Sequence, residues 1–287
     1  MLDWQSNSDD FGRAPEDDIR EIFEIAAGSG RVRRIAEKFL AKKCIFREFQ
    51  NQAFAWETLN GASLRVPRPI RYVGGSVEGE NGIMIMEYLD GHSWDTAENV
   101  DESLTNERVR KAVQHMHTAT PKATSQPVVP GPLDGGLAES FPWGRGQKEV
   151  EHAFASIQDV EMCANKRLTQ YAKTYKHRKT RNFNLRGQRL AICHGDLAPR
   201  NILILADGHV ALLDWEYMCL YPLIFEVACL SMLDIDHPHK KQKWLIENLK
   251  AEARLERQGE DIEEDIKTLR IVDRVSLRYD FPKSCST

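Results

Sequence analysis

The sequence predicts an α+β fold in which a small mixed lobe precedes a larger, mainly helical lobe. Strand and helix patterns alternate from residue 18 to residue 90, whereas most patterns after Gly91 are helical. Two apolar stretches, NILILA and HVALLD, are separated by Asp-Gly, which is a strong signal for an antiparallel hairpin. The expected domains are a disordered tail over residues 1–17, an N-lobe over 18–90 and a C-lobe over 91–287.

The N-lobe elements follow from local patterns. A helical pattern begins near Asp18, and KFLAKK has the length and apolar centre of a strand. The stretch EFQNQAFAWETL places its apolar residues at helical spacing. RVPRPIRYV contains two prolines, which favour an extended chain, and a Gly-rich turn links it to the strand IMIMEYL.

The C-lobe elements are mainly helices. Val109, Val113 and Met116 share one face of a predicted helix, and residues 150–172 form another. The Pro- and Gly-rich residues 121–147 predict a long irregular loop. RLAICHGD predicts a strand that enters a loop, and the chain after Pro222 is predicted to be helical.

Composition excludes several classes of partner. The net charge of −4 and the pI of about 6.2 give no electrostatic basis for binding nucleic acid or an anionic membrane surface. The six cysteines have irregular spacing and form no C-x-x-C pair, which is typical of a reducing compartment. The polar, acidic N-terminus does not resemble a signal peptide, and no apolar run is long enough for a membrane span. We therefore expect a cytoplasmic protein.

The Asp-Gly hairpin predicts the position of two polar side chains. If Asp207 and Gly208 are the central turn residues, pairing continues outward until Asn201 falls opposite Asp214. Directly opposed residues have Cβ atoms roughly 4.5–5.5 Å apart. Amide and carboxylate oxygens are hard ligands of the kind that Mg²⁺ prefers. The pattern therefore predicts that Asn201 and Asp214 form a metal site at the open end of the hairpin.

Asp196 lies upstream of this pair, in the stretch CHGDLAPRNILI. Phosphoryl transfer requires a metal on the phosphates and a carboxylate that orients or deprotonates the attacking hydroxyl. Protein kinases use an Asp, an Asn that follows five residues later, and a separate Asp on the metal. Asp196, Asn201 and Asp214 repeat that order and spacing. A buried hairpin with polar ends is the alternative, but the combination of the three residues favours the functional interpretation.

HGDLAPRNIL followed by LLDWE resembles the aminoglycoside phosphotransferase/choline kinase-like family, specifically its large fungal branch. The resemblance extends over about residues 30–235 and includes FLAKK, EFQNQAFAWETL, IMIMEYLDG, GPLDGG and FPWG. It implies a protein-kinase-like two-lobed fold with ATP bound between the lobes and Mg²⁺ as the metal. It also implies that Asp196 is the catalytic base, that Asn201 and Asp214 hold Mg²⁺, and that His194 orients the loop.

The resemblance further implies which N-lobe residues bind the nucleotide. Lys42 in FLAKK aligns with the lysine that contacts the ATP phosphates, and Glu48 aligns with the helix glutamate that pairs with it. Lys43 is a rival for the first role, and a solvated lysine is the alternative. Glu87 and Leu89 look like part of the inter-lobe hinge whose backbone meets adenine, with an ordinary strand end as the alternative.

Two features of the C-lobe bear on support of the loop and on the substrate. Glu226 stands where many relatives have Asp, so the longer side chain is expected to alter how the loop is supported. Only seven residues separate Asp214 from Pro222, which suits the first turn of a helix. Protein kinases spend roughly 20–30 residues there on an activation segment that docks peptides. The sequence thus predicts a small hydroxylated substrate rather than a protein.

The predicted function is ATP-dependent, Mg²⁺-assisted transfer of the γ-phosphate to a hydroxyl of a small molecule. The alternative is a pseudokinase-type protein that binds nucleotide or has a regulatory role without turnover. The presence of Lys42, Asp196, Asn201 and Asp214 favours the enzyme.

Overall fold

The computed structural model describes residues 8–26, 30–74, 81–97, 101–119, 128–138, 141–144, 150, 152–176, 180–233, 239–257 and 261–278. The chain forms two compact units. The first comprises Met1–His115 and Arg200–Glu216, and the second comprises Met116–Pro199 and Tyr217–Thr287. The first unit therefore combines two separate stretches of the chain, and the second unit does so as well.

The described elements follow in chain order. They are α1 (Ser8–Arg13), α2 (Glu16–Ile25), β1 (Val32–Ala36), β2 (Phe39–Ile45), α3 (Phe46–Leu59), β3 (Pro69–Val73), β4 (Asn81–Glu87), β5 (Gly91–Ser93), α4 (Glu102–Thr118), β6 (Gly131–Pro132), α5 (Ile157–Thr174), β7 (Ala191–Cys193), a 3₁₀ turn (Pro199–Asn201), β8 (Ile202–Leu205), β9 (Val210–Leu212), β10 (Cys219–Tyr221), α6 (Ile224–Leu230), α7 (Lys240–Glu256) and α8 (Ile262–Ser276).

The first unit is built on a four-stranded antiparallel sheet with the order β1-β2-β4-β3. β2 and β4, which contain FLAKK and IMIME, are the two central strands of this sheet, and most of their residues are buried. The helix predicted near Asp18 is α2, which begins at Glu16 and buries Ile19 and Phe23. The predictions of these strands and of this helix are confirmed.

The N-terminal segment contains a short helix that the polar composition did not predict. α1 lies within the residues expected to be disordered, and Phe11 is fully buried. The Phe11 ring meets that of Phe39 edge-on, with centroids 5.0 Å apart. The buried ring and the Arg71 guanidinium, which donates to the carbonyls of Phe11, Gly12 and Ala14, hold this polar stretch against the sheet.

The predicted hairpin is present, but its predicted register is wrong by one residue. Ile202 pairs with Leu212, and the Leu205 N–H donates to the His209 carbonyl at 2.9 Å. The loop therefore has three residues rather than two, with Gly208 at φ +82° in its last position. As a result the Leu213 N–H donates to the Asn201 carbonyl, and Asp214 lies one residue beyond that pair. The hairpin forms a second sheet of the first unit, in the order β5-β8-β9.

The second unit is mainly helical, as predicted. α5, α6, α7 and α8 pack together, and every residue of α6 is buried. A small antiparallel sheet with the order β6-β10-β7 joins the strand before the H-G-D loop to the strand before α6. None of the described helices combines the length and apolar composition that a membrane crossing requires. The five cysteines in the described residues are all free thiols.

Gly82 gives a test of packing between β3 and β4. A Cβ atom on Gly82 would overlap the Gly74 carbonyl oxygen and the Tyr72 ring, whereas one on Gly61 would have no heavy atom within 4 Å. We expect Gly82→Ala to lower the free energy of unfolding by about 1–3 kcal/mol through overpacking. Gly61→Ala is the matched control and should change it little. Urea denaturation measures both, and equal effects would contradict the packing described here.

Candidate active site

Lys42 is a buried cation in the middle of β2. Its ammonium group forms an ion pair with the Glu48 carboxylate and lies 2.9 Å from Asp214 Oδ1. Burial by itself lowers the pKa of Lys42, but the carboxylates of Glu48 and Asp214 outweigh it, and the pKa is raised. Lys42 is therefore protonated at neutral pH, and it connects the sheet, α3 and the segment after β9.

Lys43, the rival lysine, lies in a different environment. Its Nζ is 2.9 Å from Glu24 Oε1 and lies over the Phe23 ring at 4.8 Å from the centroid. Successive strand residues point to opposite faces, so only one of the two lysines can reach Asp214. Of the two lysines, Lys42 is the one that contacts Glu48 and Asp214, whereas Lys43 pairs with Glu24.

Glu48 supplies the fully buried carboxylate of the cluster. It lies in the first turn of α3, and Arg31 Nη2 approaches it at 3.7 Å. Burial raises the pKa of Glu48, and the Lys42 ammonium opposes that rise. The carboxylate is held in place because Lys42 and Arg31 both face it.

Asp214 follows β9 in an unusual backbone conformation. Its φ of 67° is the only positive value at a non-glycine among the described residues. The next two residues are fixed by Asn51 of α3, whose side-chain amide donates to the carbonyls of Trp215 at 2.9 Å and Glu216 at 3.2 Å. Carboxylate oxygens of Glu48, Asp214 and Glu216 lie within 4.8 Å of one another.

These oxygen donors fit a hard divalent cation such as Mg²⁺. Asn201, the other predicted ligand, is buried in the 3₁₀ turn before β8, and its carbonyl accepts the Leu213 N–H at 2.9 Å. Since the hairpin register differs from the predicted one, Asp214 lies one residue beyond the position paired with Asn201. The carboxylate group around Asp214 includes Glu216, which the sequence reasoning did not single out.

The predicted hinge residues lie at the end of β4. The N–H groups of Glu87 and Tyr88 already donate to the carbonyls of Arg68 at 2.9 Å and Lys38 at 2.8 Å. Within the described part of the chain, the Leu89 N–H has no hydrogen-bond partner. Leu89 is thus a backbone donor that remains available to a ligand.

The H-G-D loop (His194–Asp196) belongs to the second unit, and the Glu226 carboxylate binds its backbone. Glu226 of α6 accepts the N–H groups of His194 and, at 3.2 Å, of Gly195. His194 is fully buried, and its Nδ1 accepts the Asp196 N–H at 3.3 Å. The side chain of His194 therefore braces the loop, and Glu226 reaches two backbone donors despite being longer than Asp.

Gly195 is required by the shape of this loop. Its φ is +77°, and a Cβ there would overlap the Tyr217 carbonyl oxygen. Together with the bonds to Glu226, this close approach fixes the backbone on which Asp196 is carried. Asp196 itself is half-buried.

Asn51, Arg31 and Glu216 are the site residues that the sequence reasoning missed. A signal for Asn51 exists in the sequence. Glu48, Asn51 and Gln52 are polar residues at helical spacing within EFQNQAFAW, and all three are buried on one face of α3. Arg31 and Glu216 have no comparable signal, because their side chains are at least partly exposed.

A separate cavity of about 800 Å³ lies in the second unit. It is lined mainly by the start of α5 and by the chain between residues 182 and 190. None of the predicted site residues lines it. Its size alone therefore does not connect it with the chemistry of the site.

Comparison with known proteins identifies the family to which the sequence belongs. Residues 43–259 match the sequence model of the phosphotransferase enzyme family. A search of the curated proteins found no match.

Solved structures resemble the chain over most of its length. The crystal structure of the aminoglycoside phosphotransferase APH(4)-Ia is 13% identical with a TM-score of 0.53, covering 90% of this chain and 89% of that one. The apo structure of a thermostable APH(4)-Ia mutant is 12% identical with a TM-score of 0.53, covering 91% and 89%. At such identities the likeness shows the fold alone, and it confirms the prediction of a protein-kinase-like α+β fold.

The buried cluster predicts a large effect of removing Lys42. Lys42→Met leaves Glu48 without its nearest cation, so we expect a loss of about 3–5 kcal/mol in unfolding free energy. The loss should grow as pH rises, because the pKa of Glu48 is raised and its protonated form is the better tolerated one. Lys42→Met combined with Glu48→Leu should recover much of the stability.

Lys43→Met is the matched control, since Lys43 is half-exposed and should cost at most about 1 kcal/mol. Urea denaturation at pH 5 and pH 8 measures all the variants. Equal losses for the two lysines would contradict the arrangement of the cluster.

Proposed function

The chain belongs to the phosphotransferase enzyme family, and we propose that it transfers the γ-phosphate of ATP to a hydroxyl group of a small molecule. The observation that carries the proposal is the contact of the Lys42 ammonium with both Glu48 and Asp214. That contact places one cation beside a group of oxygen ligands, which is the combination that a metal-bound triphosphate requires.

Lys42 and the end of β4 are proposed to bind the nucleotide. The Lys42 ammonium, already oriented by two carboxylates, contacts phosphate oxygens as a point charge. Glu48 keeps the ammonium in position. The adenine ring meets the backbone of Glu87 and Leu89, where the Leu89 N–H is available as a donor.

Asp214 and Asn201 are proposed to hold Mg²⁺, with Glu216 as a further oxygen donor. When bound, the cation neutralises charge on the phosphates. The chain supports this arrangement through Asn51, which fixes the backbone directly after Asp214. Arg31 lies 3.7 Å from both Glu48 and Glu216 and limits the repulsion among the carboxylates.

Asp196 is proposed to act as the general base. It accepts the proton of the acceptor hydroxyl as the hydroxyl oxygen attacks the γ-phosphorus. The bond from that phosphorus to the β–γ bridging oxygen breaks, and ADP leaves. His194, Gly195 and Glu226 keep the Asp196 backbone fixed and have no part in the proton transfer.

A small acceptor is favoured over a peptide by the chain after Asp214. β10 begins at Cys219 and α6 at Ile224, so regular structure resumes almost at once. Protein kinases use a long activation segment at this point to dock peptides. The buried residues of β10 and α6 leave no segment here that could serve as such a platform.

The proposed function predicts that the acceptor is a small hydroxylated molecule and that turnover depends on Asp196. With labelled ATP, we expect the wild-type chain to phosphorylate a member of a panel of hydroxylated metabolites and no member of a peptide panel. Asp196→Ala should lower kcat by roughly 10²–10⁴-fold, the usual contribution of a general base, with the KM for ATP preserved. Asp207→Asn, in the exposed hairpin turn, is the control and should retain activity. Asp196-dependent labelling of peptides alone would overturn the proposal.

The metal site predicts unequal effects on nucleotide binding. Asp214→Ala should abolish the Mg²⁺ dependence of ATP binding, because it removes a charged ligand and a partner of Lys42. Asn201→Ala should weaken that dependence, since it removes a neutral ligand. Isothermal calorimetry with ATP, with and without Mg²⁺, measures both variants. An unchanged Mg²⁺ dependence in both would rule out this ligand set.

A further inference from the structure

A buried histidine lies behind the H-G-D loop, between two carboxylates. His117 lies near the end of α4 and is 1% exposed. Its Nε2 is 3.9 Å from Glu226 Oε2, and its Nδ1 is 3.6 Å from Glu252 Oε2. Glu226 is on α6 and Glu252 is on α7, so the imidazole ring separates two carboxylates from different helices.

The two carboxylates determine which form of the ring fits. A neutral imidazole carries one N–H and one lone pair, so it can present a proton to only one of the two oxygens. The other ring nitrogen would then direct its lone pair toward a carboxylate, which is repulsive. Only the imidazolium form presents an N–H to both Glu226 and Glu252. At 3.9 and 3.6 Å neither contact is a hydrogen bond, and among the described residues neither ring nitrogen has another partner. The two carboxylates therefore favour a charged His117 through their proximity in a buried site.

Other charged and titratable groups lie near His117, Glu226 and Glu252. Arg189 donates to the His117 carbonyl at 2.7 Å and pairs with Glu256. Burial raises the pKa values of the nearby thiols Cys193, Cys219 and Cys229, so these remain neutral over the physiological range. The buried His194 is another nearby group, and its Nδ1 accepts the Asp196 N–H at 3.3 Å.

Glu226 links His117 to the loop. Its side chain is fully buried and accepts the N–H groups of His194 and Gly195. A buried carboxylate needs a counter-charge, and His117 is the cation that faces it. We propose that His117 is a positioning residue: as an imidazolium between Glu226 and Glu252, it fixes the carboxylate that holds the backbone of the loop carrying Asp196.

The proposal predicts that the order of the loop decreases as pH rises. Burial lowers the pKa of His117, but Glu226 and Glu252 outweigh it, and the pKa is raised above the ordinary 6.5. The ordering of the loop is therefore complete below pH 6.5. It is lost as pH rises through the pKa of the folded protein. The part that concerns phosphotransfer rests on the proposed function, whereas the ordering of the loop does not.

The experiment follows the histidine and the loop separately. Histidine-labelled protein gives the titration of the His117 ring by NMR, with its signal assigned from His117→Gln. Hydrogen exchange of the His194 and Gly195 amides, corrected for intrinsic rates, gives the order of the loop. We expect the protection of both amides to fall as His117 titrates, and His117→Gln to lower it at least 10-fold at pH 6.5 and to remove its pH dependence.

Glu252→Gln is the second variant, and it keeps the test decisive if His117→Gln does not fold. Glu252 is 23% exposed, so its substitution is the milder one. Because it removes one carboxylate beside the ring, the His117 titration and the loss of amide protection should both move to lower pH. A merely structural role for Glu252 would lower stability without moving either midpoint. His115→Gln, on the same helix but bonded to the Leu59 carbonyl, is the control and should change neither.

ATP turnover is measured on the same variants. In the wild type, kcat should fall on the alkaline side with the midpoint found for His117, and the KM for ATP should stay constant. A His117 ring that is neutral at pH 6.5, or unchanged protection of His194 and Gly195 in His117→Gln, would overturn the proposal. Absence of turnover together with the expected NMR and exchange results would contradict the proposed function and leave the positioning role supported.

Discussion

The buried ammonium of Lys42 is the interaction on which the first unit depends. Its charge lies beside a fully buried carboxylate, and an unpaired partner on either side would cost several kcal/mol. The pair is satisfied only if β2, α3 and the segment after β9 meet with the geometry observed. The same contact that fixes these three elements also assembles the cation and the oxygen ligands of the candidate site.

The second unit also contains a buried carboxylate with several partners, that of Glu226. This carboxylate is buried beneath the H-G-D loop, where two backbone N–H groups and the His117 ring face it. Backbone donors and a cation together offset the loss of solvation. In both units, a buried carboxylate therefore sets the position of a residue proposed to act in phosphotransfer: Lys42 through Glu48, and Asp196 through Glu226.

The hairpin shows how small local differences limit inference from sequence. Asp-Gly indicated the turn correctly, but the loop has three residues instead of two. A two-residue turn and a three-residue loop can both place a glycine at positive φ, and Gly208 does so in the observed three-residue loop. Because the register differs by one residue, Asp214 lies beyond the position opposite Asn201. Asp214 has a φ of 67°, and its carboxylate contacts Lys42.

The sequence by itself determined β2, β4, the hairpin strands, most helices, the α+β class and the family, because these depend on periodicity and on a contiguous motif around HGDLAPRN. Only the tertiary structure decided that Phe11 is buried and that Lys42 rather than Lys43 contacts Asp214. It also decided the contacts of Asn51 and of His117. Each depends on partners far apart in the chain. Periodicity reports which face of an element is buried, but not which charged group of another element meets it there.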